Sequence, residues 1–512
     1  MLLARAIKTI ESGRLILMLA VSLASQTVYA NQRAALPAGK VIERVVCQRN
    51  PAYSYSLYLP SRYLPEKKWP IIYCFDPEGR GSVPVGLFKA GAETAGFILA
   101  GSNDSRNGPG APLEGIIEEL WIDTHARFAI DEKQVYTAGF SGGGRVAIAI
   151  GFSKNAGVAG VIGVCAGFPN GQAPGSPVPF AFFGVTGTED FNYAEMFKTA
   201  STLDRQGIPN QLEVFEGRHG WPPMDICTEA IEWMAVQAIR GGRREHDAAL
   251  VKELASTLES RASAFQASSN TLEAYRSYEA LAKNLTGLID VSNFEKKAAE
   301  LKDSPAFKQS VKEQKEELAK QEKFELSLLS LMRAAIGAST GPVASDNPTI
   351  RGGVPGAAPG SARPEDRGDL EDDREARLTA FSDLRRTIND LKKKSESVAL
   401  SPDKWAAARA LSGFLVGCLE SSDTLKAAGQ YRLAITKMEL ASEMRPKSSG
   451  IFYSLAGLYA LAGDRSKALA ALKRAVENGW TDVAAIEGNS DLNNIRTEEG
   501  YETLVESIKR KK

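Results

Sequence analysis

The chain has 512 residues, and its 62 Lys and Arg balance its 62 Asp and Glu. With 43% apolar and 24% charged residues it has the composition of folded protein, which excludes wholesale disorder. At roughly 100–200 residues per domain it holds several units, and without a net basic field nucleic acid is not an expected partner.

Arg5, Lys8 and Arg14 precede an apolar run from Leu15 to Ala24, and Val28-Tyr29-Ala30 then supplies small residues before Asn31. That layout predicts a secretory signal peptide over 1–30, too short in its apolar core to span a bilayer. The mature chain is therefore expected to be exported, periplasmic or extracellular, with no membrane span after signal removal. Five cysteines remain, Cys47, Cys74, Cys165, Cys227 and Cys418, and their spacing fits neither a zinc pattern nor a CxxC redox motif. In an oxidising compartment Cys47 has Cys74, Cys165 and Cys227 as disulfide partners to choose from.

From 31 to 241 short β-rich runs alternate with Gly-rich turns and helices. The runs are Tyr53–Leu59, Ile71–Phe75, Gly96–Ala100, Val135–Ala138, Val158–Cys165, Phe180–Val185 and Gln211–Phe215. Several are continuously apolar, as strands buried on both faces require. The fold class predicted here is α/β with a mainly parallel sheet. From 242 to 340 strand signals vanish, and Leu250, Leu254 and Leu258 mark the stripe of an all-α unit. Residues 341–368 hold six Gly and five Pro and read as a flexible linker. A second helical domain follows over 369–512.

Within it, Gly429, Ala434, Met438, Ala441 and Pro446 match Gly463, Ala468, Leu472, Ala475 and Trp480 at an offset of 34 residues. Phe452, Leu455, Ala456 and Tyr459 occupy the spacings of a first repeat helix. This pattern resembles the tetratricopeptide repeat over about 415–482, a module whose concave face binds proteins.

The chemistry lies in the first unit. Gly139-Phe140-Ser141-Gly142-Gly143 follows a strand-like run and precedes a helix-like one. That spacing suits a tight, strained strand-to-helix turn that lifts the Ser141 hydroxyl above a sheet edge. It also sets the Gly142 amide at a helix N-terminus, where it can donate to an oxyanion.

A serine needs a base, and the sequence has only three histidines, His125, His219 and His246. His125 precedes the turn, in a helix-like segment, and reads as structural. His246 stands in a charged stretch and reads as a surface residue. His219 lies in a loop just after the strand-like Gln211–Phe215 and is the candidate base. After Phe180–Val185 comes Gly187-Thr188-Glu189-Asp190, in which Asp190 is the candidate acid and Glu189 the alternative. A second oxyanion donor is expected from the loop after Ile71–Phe75, near Glu78 or Gly79.

Together these residues resemble the α/β-hydrolase superfamily of serine esterases. The similar branches are the polyhydroxybutyrate-depolymerase and feruloyl-esterase type and the dienelactone-hydrolase-like proteins. Leu57-Tyr58-Leu59-Pro60, Ala129-Ile130-Asp131 and His219-Gly220-Trp221-Pro222 add to the likeness, which spans about 45–240. The resemblance implies an acyl-enzyme mechanism on a small-molecule or polymeric ester, with Ser141, His219 and Asp190 as the triad. Amidase or peptidase chemistry would use the same groups. The alternative function is an idle hydrolase-fold protein that binds a protein partner through its helical repeats. No phosphate loop, dinucleotide fingerprint or metal-ligand spacing stands out in the sequence, so neither a cofactor nor a metal is expected.

Overall fold

The computed structural model describes residues 36–108, 112–153, 157–169, 178–336, 367–398 and 401–510, with the backbone alone over 367–374. The signal segment expected at 1–30 lies outside these residues, as does the expected linker apart from 367 and 368.

Eight strands form one sheet: β1 (Val41–Val46), β2 (Ser54–Tyr58), β3 (Trp69–Phe75), β4 (Ile98–Ser102), β5 (Ile130–Phe140), β6 (Val158–Val164), β7 (Ala181–Gly187) and β8 (Asn210–Phe215). Their spatial order is β1-β2-β4-β3-β5-β6-β7-β8. The pairs β1–β2 and β2–β4 are antiparallel, and every pair from β4 to β8 is parallel. The N-terminal part is thus a mixed α/β sheet domain, and a helical region follows it.

Continuous apolar strands are explained by two buried faces. Because successive side chains point to opposite sides, Ile71, Tyr73 and Phe75 enter one core while Ile72 and Cys74 enter the other. The first core is closed by α2 (Leu113–Arg127), α3 (Gly142–Phe152) and α4 (Tyr193–Arg205), through Leu120, Ile148 and Leu203. The second lies under α1 (Ser82–Ala95) and α5 (Met224–Arg240). Helix α5 is buried nearly all round, because α6 (Ala248–Ala267), α7 (Thr271–Leu285) and α8 (Ser292–Asp303) add a further layer outside it. Leu250, Leu254, Leu258, Tyr278 and Phe294 join the same core as Ile72 and Leu99. The residues expected as one helical unit over 242–340 therefore divide between two cores. Their first three helices extend the sheet domain, whereas α9 (Pro305–Ile336) sends Leu328 and Met332 into the C-terminal core.

A polar chain runs through that added layer. Arg261 of α6 pairs with Glu213 of β8 at 3.0 Å and with Glu229 of α5 at 2.6 Å. Gln211 donates to both carboxylates, at 2.7 and 2.8 Å, and Asn284 of α7 donates to Gln211 at 2.7 Å. Two acids share one guanidinium, so burial and then the Glu229 charge push Glu213 up to about 8, from an ordinary 4.5. A carboxyl raised in the fold stabilises when protonated, and that contribution is lost as pH rises through the folded value. Thermal stability should therefore fall as pH rises from about 4.5 to about 8 and level off above it. Glu213→Gln should flatten the dependence between about pH 5 and 8, which melting curves across that range would test.

The C-terminal region comprises α10 (Arg367–Ser395), α11 (Pro402–Ala427), α12 (Tyr431–Met444), α13 (Ser449–Leu461), α14 (Arg465–Glu477), α15 (Val483–Gly488) and α16 (Tyr501–Lys509). Its hairpin turns repeat at the offset seen in the sequence. Gly429 and Gly463 both take left-handed backbone, with φ of 72° and 85°, where a side chain would be strained. The paired small residues Ala434 and Ala468, and Ala441 and Ala475, are fully buried between helices. Among the described residues no helix is long and apolar enough to cross a membrane. All five cysteines are free and buried, so Cys47 forms no disulfide.

Candidate active site

Strand β5 ends at Phe140 and α3 begins at Gly142, leaving Ser141 alone in the turn with φ 53° and ψ −123°. A non-glycine residue there is strained. It is held by its own amide, which donates to the Val164 carbonyl at 2.9 Å, and by its carbonyl, which accepts from the Arg145 amide at 3.1 Å. Small neighbours are required for backbone contact on both sides. A Cβ on Gly139 would lie 2.2 Å from the Gly143 carbonyl oxygen, and one on Gly143 would lie 2.2 Å from that of Phe75.

The loop after β8 carries His219 to this turn. Its Nε2 lies 2.9 Å from Ser141 Oγ, and its Nδ1 lies 2.7 Å from Asp190 Oδ1. The ring packs between Phe140 and Phe191, with centroids 4.7 and 4.1 Å away. Asp190, in the loop after β7, is fully buried. It also accepts from Thr186 Oγ1 at 3.0 Å and from the Asn192 amide at 2.9 Å. Burial pushes its pKa up, but the hydrogen bond and charge of His219, then the Cys165 thiol and the Asn192 amide, outweigh that and leave it lowered.

The other candidates separate clearly. Glu189, the alternative acid, turns outward to Arg218 at 3.2 Å. His125 stacks on Trp121 of α2 at 4.9 Å, and His246 is exposed. The expected oxyanion donors Glu78 and Gly79 both have amide partners within their own loop. The Glu78 amide donates to Asp76 Oδ1 at 2.9 Å and the Gly79 amide to the Asp76 carbonyl at 3.1 Å. Asp76 folds this loop around itself, so both amides are already used. Its other oxygen takes Trp221 Nε1 at 2.8 Å, tying the loop to the one that bears His219.

The Gly142 amide sits in the first turn of α3, where no intrahelical acceptor exists. Beside it lies Asn107, which sequence reasoning missed. A Cβ on Gly142 would meet the Asn107 carboxamide at 1.8 Å. The Asn107 amide in turn donates to the Pro77 carbonyl at 2.8 Å. Two loops distant in sequence thus converge on the elbow, and no local signal would have paired them. Cys165 was also missed as a site residue. It has φ 52°, and its ligand atom lies with those of Asp190 and His219 within 4.8 Å of one another. Three such groups could hold a soft cation, yet both histidine nitrogens are engaged and the thiol meets the Gly220 carbonyl at 3.4 Å. The arrangement suits proton transfer between Ser141 and His219, with Asp190 accepting from the other ring nitrogen, better than ligation.

No family model and no curated protein matches the chain. Solved structures similar to part of it include a ferulic acid esterase, 17% identical, covering 39% of this chain and 98% of that one at a TM-score of 0.34. An S-formylglutathione hydrolase from Staphylococcus aureus is 15% identical, covering 39% and 98% at a TM-score of 0.31. An esterase from Pyrobaculum calidifontis is 13% identical, covering 43% and 90% at 0.31. The reading of the site rests on its own geometry.

Proposed function

We propose that this chain is a serine hydrolase of carboxylic esters, working through an acyl-enzyme. The observation that carries the proposal is His219, hydrogen-bonded at one nitrogen to Ser141 and at the other to the buried carboxylate of Asp190. Ser141 Oγ attacks the ester carbonyl while His219 Nε2 takes its proton. The negative oxygen of the tetrahedral intermediate is stabilised by the Gly142 amide, with the Asn107 carboxamide beside it. His219 then returns the proton to the leaving alcohol, and Asp190 stabilises the imidazolium and fixes the ring. Water, activated by the same histidine, releases the acid and restores the serine.

An idle scaffold would not need a strained serine and a buried acid both in register with one histidine. The residues from about 415 to 482 we read as tetratricopeptide-like, on their helical hairpins with matched turns at Gly429 and Gly463. Export is part of the same proposal and rests on the charge and apolar layout of 1–30.

Labelling the purified chain with a fluorophosphonate probe, alongside hydrolysis of 4-nitrophenyl acetate, tests the reading. Wild type is expected to label and to turn over, whereas Ser141→Ala and His219→Ala lose both. A folded wild type that neither labels nor hydrolyses would overturn the proposal.

A further inference from the structure

The loop bearing Asp190 is gripped from two sides. On the sheet side the Thr188 and Glu189 amides donate to the Phe215 and Gly217 carbonyls at 2.9 and 2.8 Å. On the other side stand α9 and α11, far away in sequence. Arg409 of α11 is only 2% exposed, and its Nε donates to the Thr188 carbonyl at 2.6 Å. Its guanidinium pairs with Glu317 of α9 and lies 3.5 Å from the Tyr193 ring centroid. Gln321 of α9, fully buried, donates to the Phe191 carbonyl at 3.0 Å. Gln314 of the same helix donates to the Tyr193 hydroxyl at 3.1 Å. At Gly413 of α11 a Cβ would lie 3.2 Å from that of Phe191, the residue whose ring rests on His219.

Burying an arginine is expensive unless its donors are fully used. Helix packing alone would be served as well by an apolar residue. The polar groups of both helices instead converge on one segment of six residues, 188–193, with Asp190 at its centre. None of its residues, the buried Tyr193 included, belongs to either apolar core of the sheet domain. Its position is therefore set by these directed bonds.

We propose that Arg409 is a positioning residue for Asp190, and that the α9–α11 face is a built-in clamp that couples hydrolysis to docking of the helical half. The inference rests on the hydrolase reading above. Without the fork of Arg409 the Thr188 carbonyl is released, the acid shifts, and the imidazolium loses part of its stabilisation. Arg409 touches Thr188, Glu317 and Tyr193 and not the nucleophile or its elbow, so the loss should fall on kcat and not on KM. A displacement of about 1 Å in such a group costs on the order of 10²-fold.

The test uses the full chain with two variants, Arg409→Lys and the double variant Arg409→Met/Glu317→Leu, which leaves no lone buried charge. Folding is checked by circular dichroism and melting, and activity by 4-nitrophenyl acetate hydrolysis across pH. The double variant should lose kcat by roughly 10²-fold with KM little changed. The acidic limb of its kcat/KM profile should move to lower pH, because a less supported imidazole binds its proton less tightly. Arg409→Lys, which keeps the charge and one donor, should recover part of the rate and part of that shift. Should the double variant fail to fold, Arg409→Lys alone carries the same kcat and pH readouts. Folded variants with the wild-type kcat and pH limb would overturn the clamp while leaving the hydrolase intact. A folded wild type that neither labels with fluorophosphonate nor hydrolyses ester would overturn both.

Discussion

Asp190→Asn will lower kcat for ester hydrolysis by about 10⁴-fold, with the fold preserved and KM nearly unchanged. The two side chains are nearly the same size, so the buried slot beside Thr186 and Asn192 still fits. What changes is the hydrogen on His219. The carboxylate accepts from Nδ1 at 2.7 Å and leaves Nε2 as the free base toward Ser141. An amide nitrogen facing Nδ1 would donate to it and drive the imidazole to the opposite tautomer, with its hydrogen on Nε2. The base is then unavailable, and the imidazolium has no counter-charge. Steady-state kinetics with melting curves would check this. A loss below tenfold in folded protein would remove Asp190 from the triad.

Gly143→Ala should cost the fold about 1–3 kcal/mol or more and slow labelling of Ser141 as well. The clash is with a carbonyl, not with a movable side chain. A Cβ there lies 2.2 Å from the Phe75 oxygen and 2.6 Å from its carbon. Relief requires α3 to move away from β3, which carries the elbow and the Gly142 amide with it. Gly86→Ala in α1 is the contrast. There a Cβ meets nothing within 4 Å, and the helix should gain about 0.5–1 kcal/mol. Melting temperatures of the two variants should therefore move in opposite directions.

The elbow was legible because its demands are local. Glycines, one serine and the switch from strand to helix all fall within a dozen residues. The histidine was legible through scarcity, since only His219 follows a strand in the right part of the chain. Strands β3, β5, β6 and β7 announced themselves by apolar runs buried on both faces. Strand β1 did not, because Glu43 and Arg44 interrupt it at the sheet edge, where one side meets solvent. The oxyanion side was less legible for a different reason. A residue name cannot say which acceptor an amide has already found, and Asp76 had taken both. Asn107 and Arg409 were hidden because their partners lie in other loops and helices, and only the folded chain brings them together.

The sequence separation of 221 between Thr188 and Arg409 also has a meaning in time. A chain grows at roughly 5–20 residues per second from its N-terminus. The sheet, the serine and the histidine are all made before α11 exists. From His219 to Arg409 is a further 190 residues, so for roughly 10–40 s at those rates the nascent protein would carry its nucleophile and its base but not the last contact on its acid. On the proposed reading, the chain would turn over about 10²-fold more slowly until α11 is made, and a prematurely ended chain would be released with that deficit.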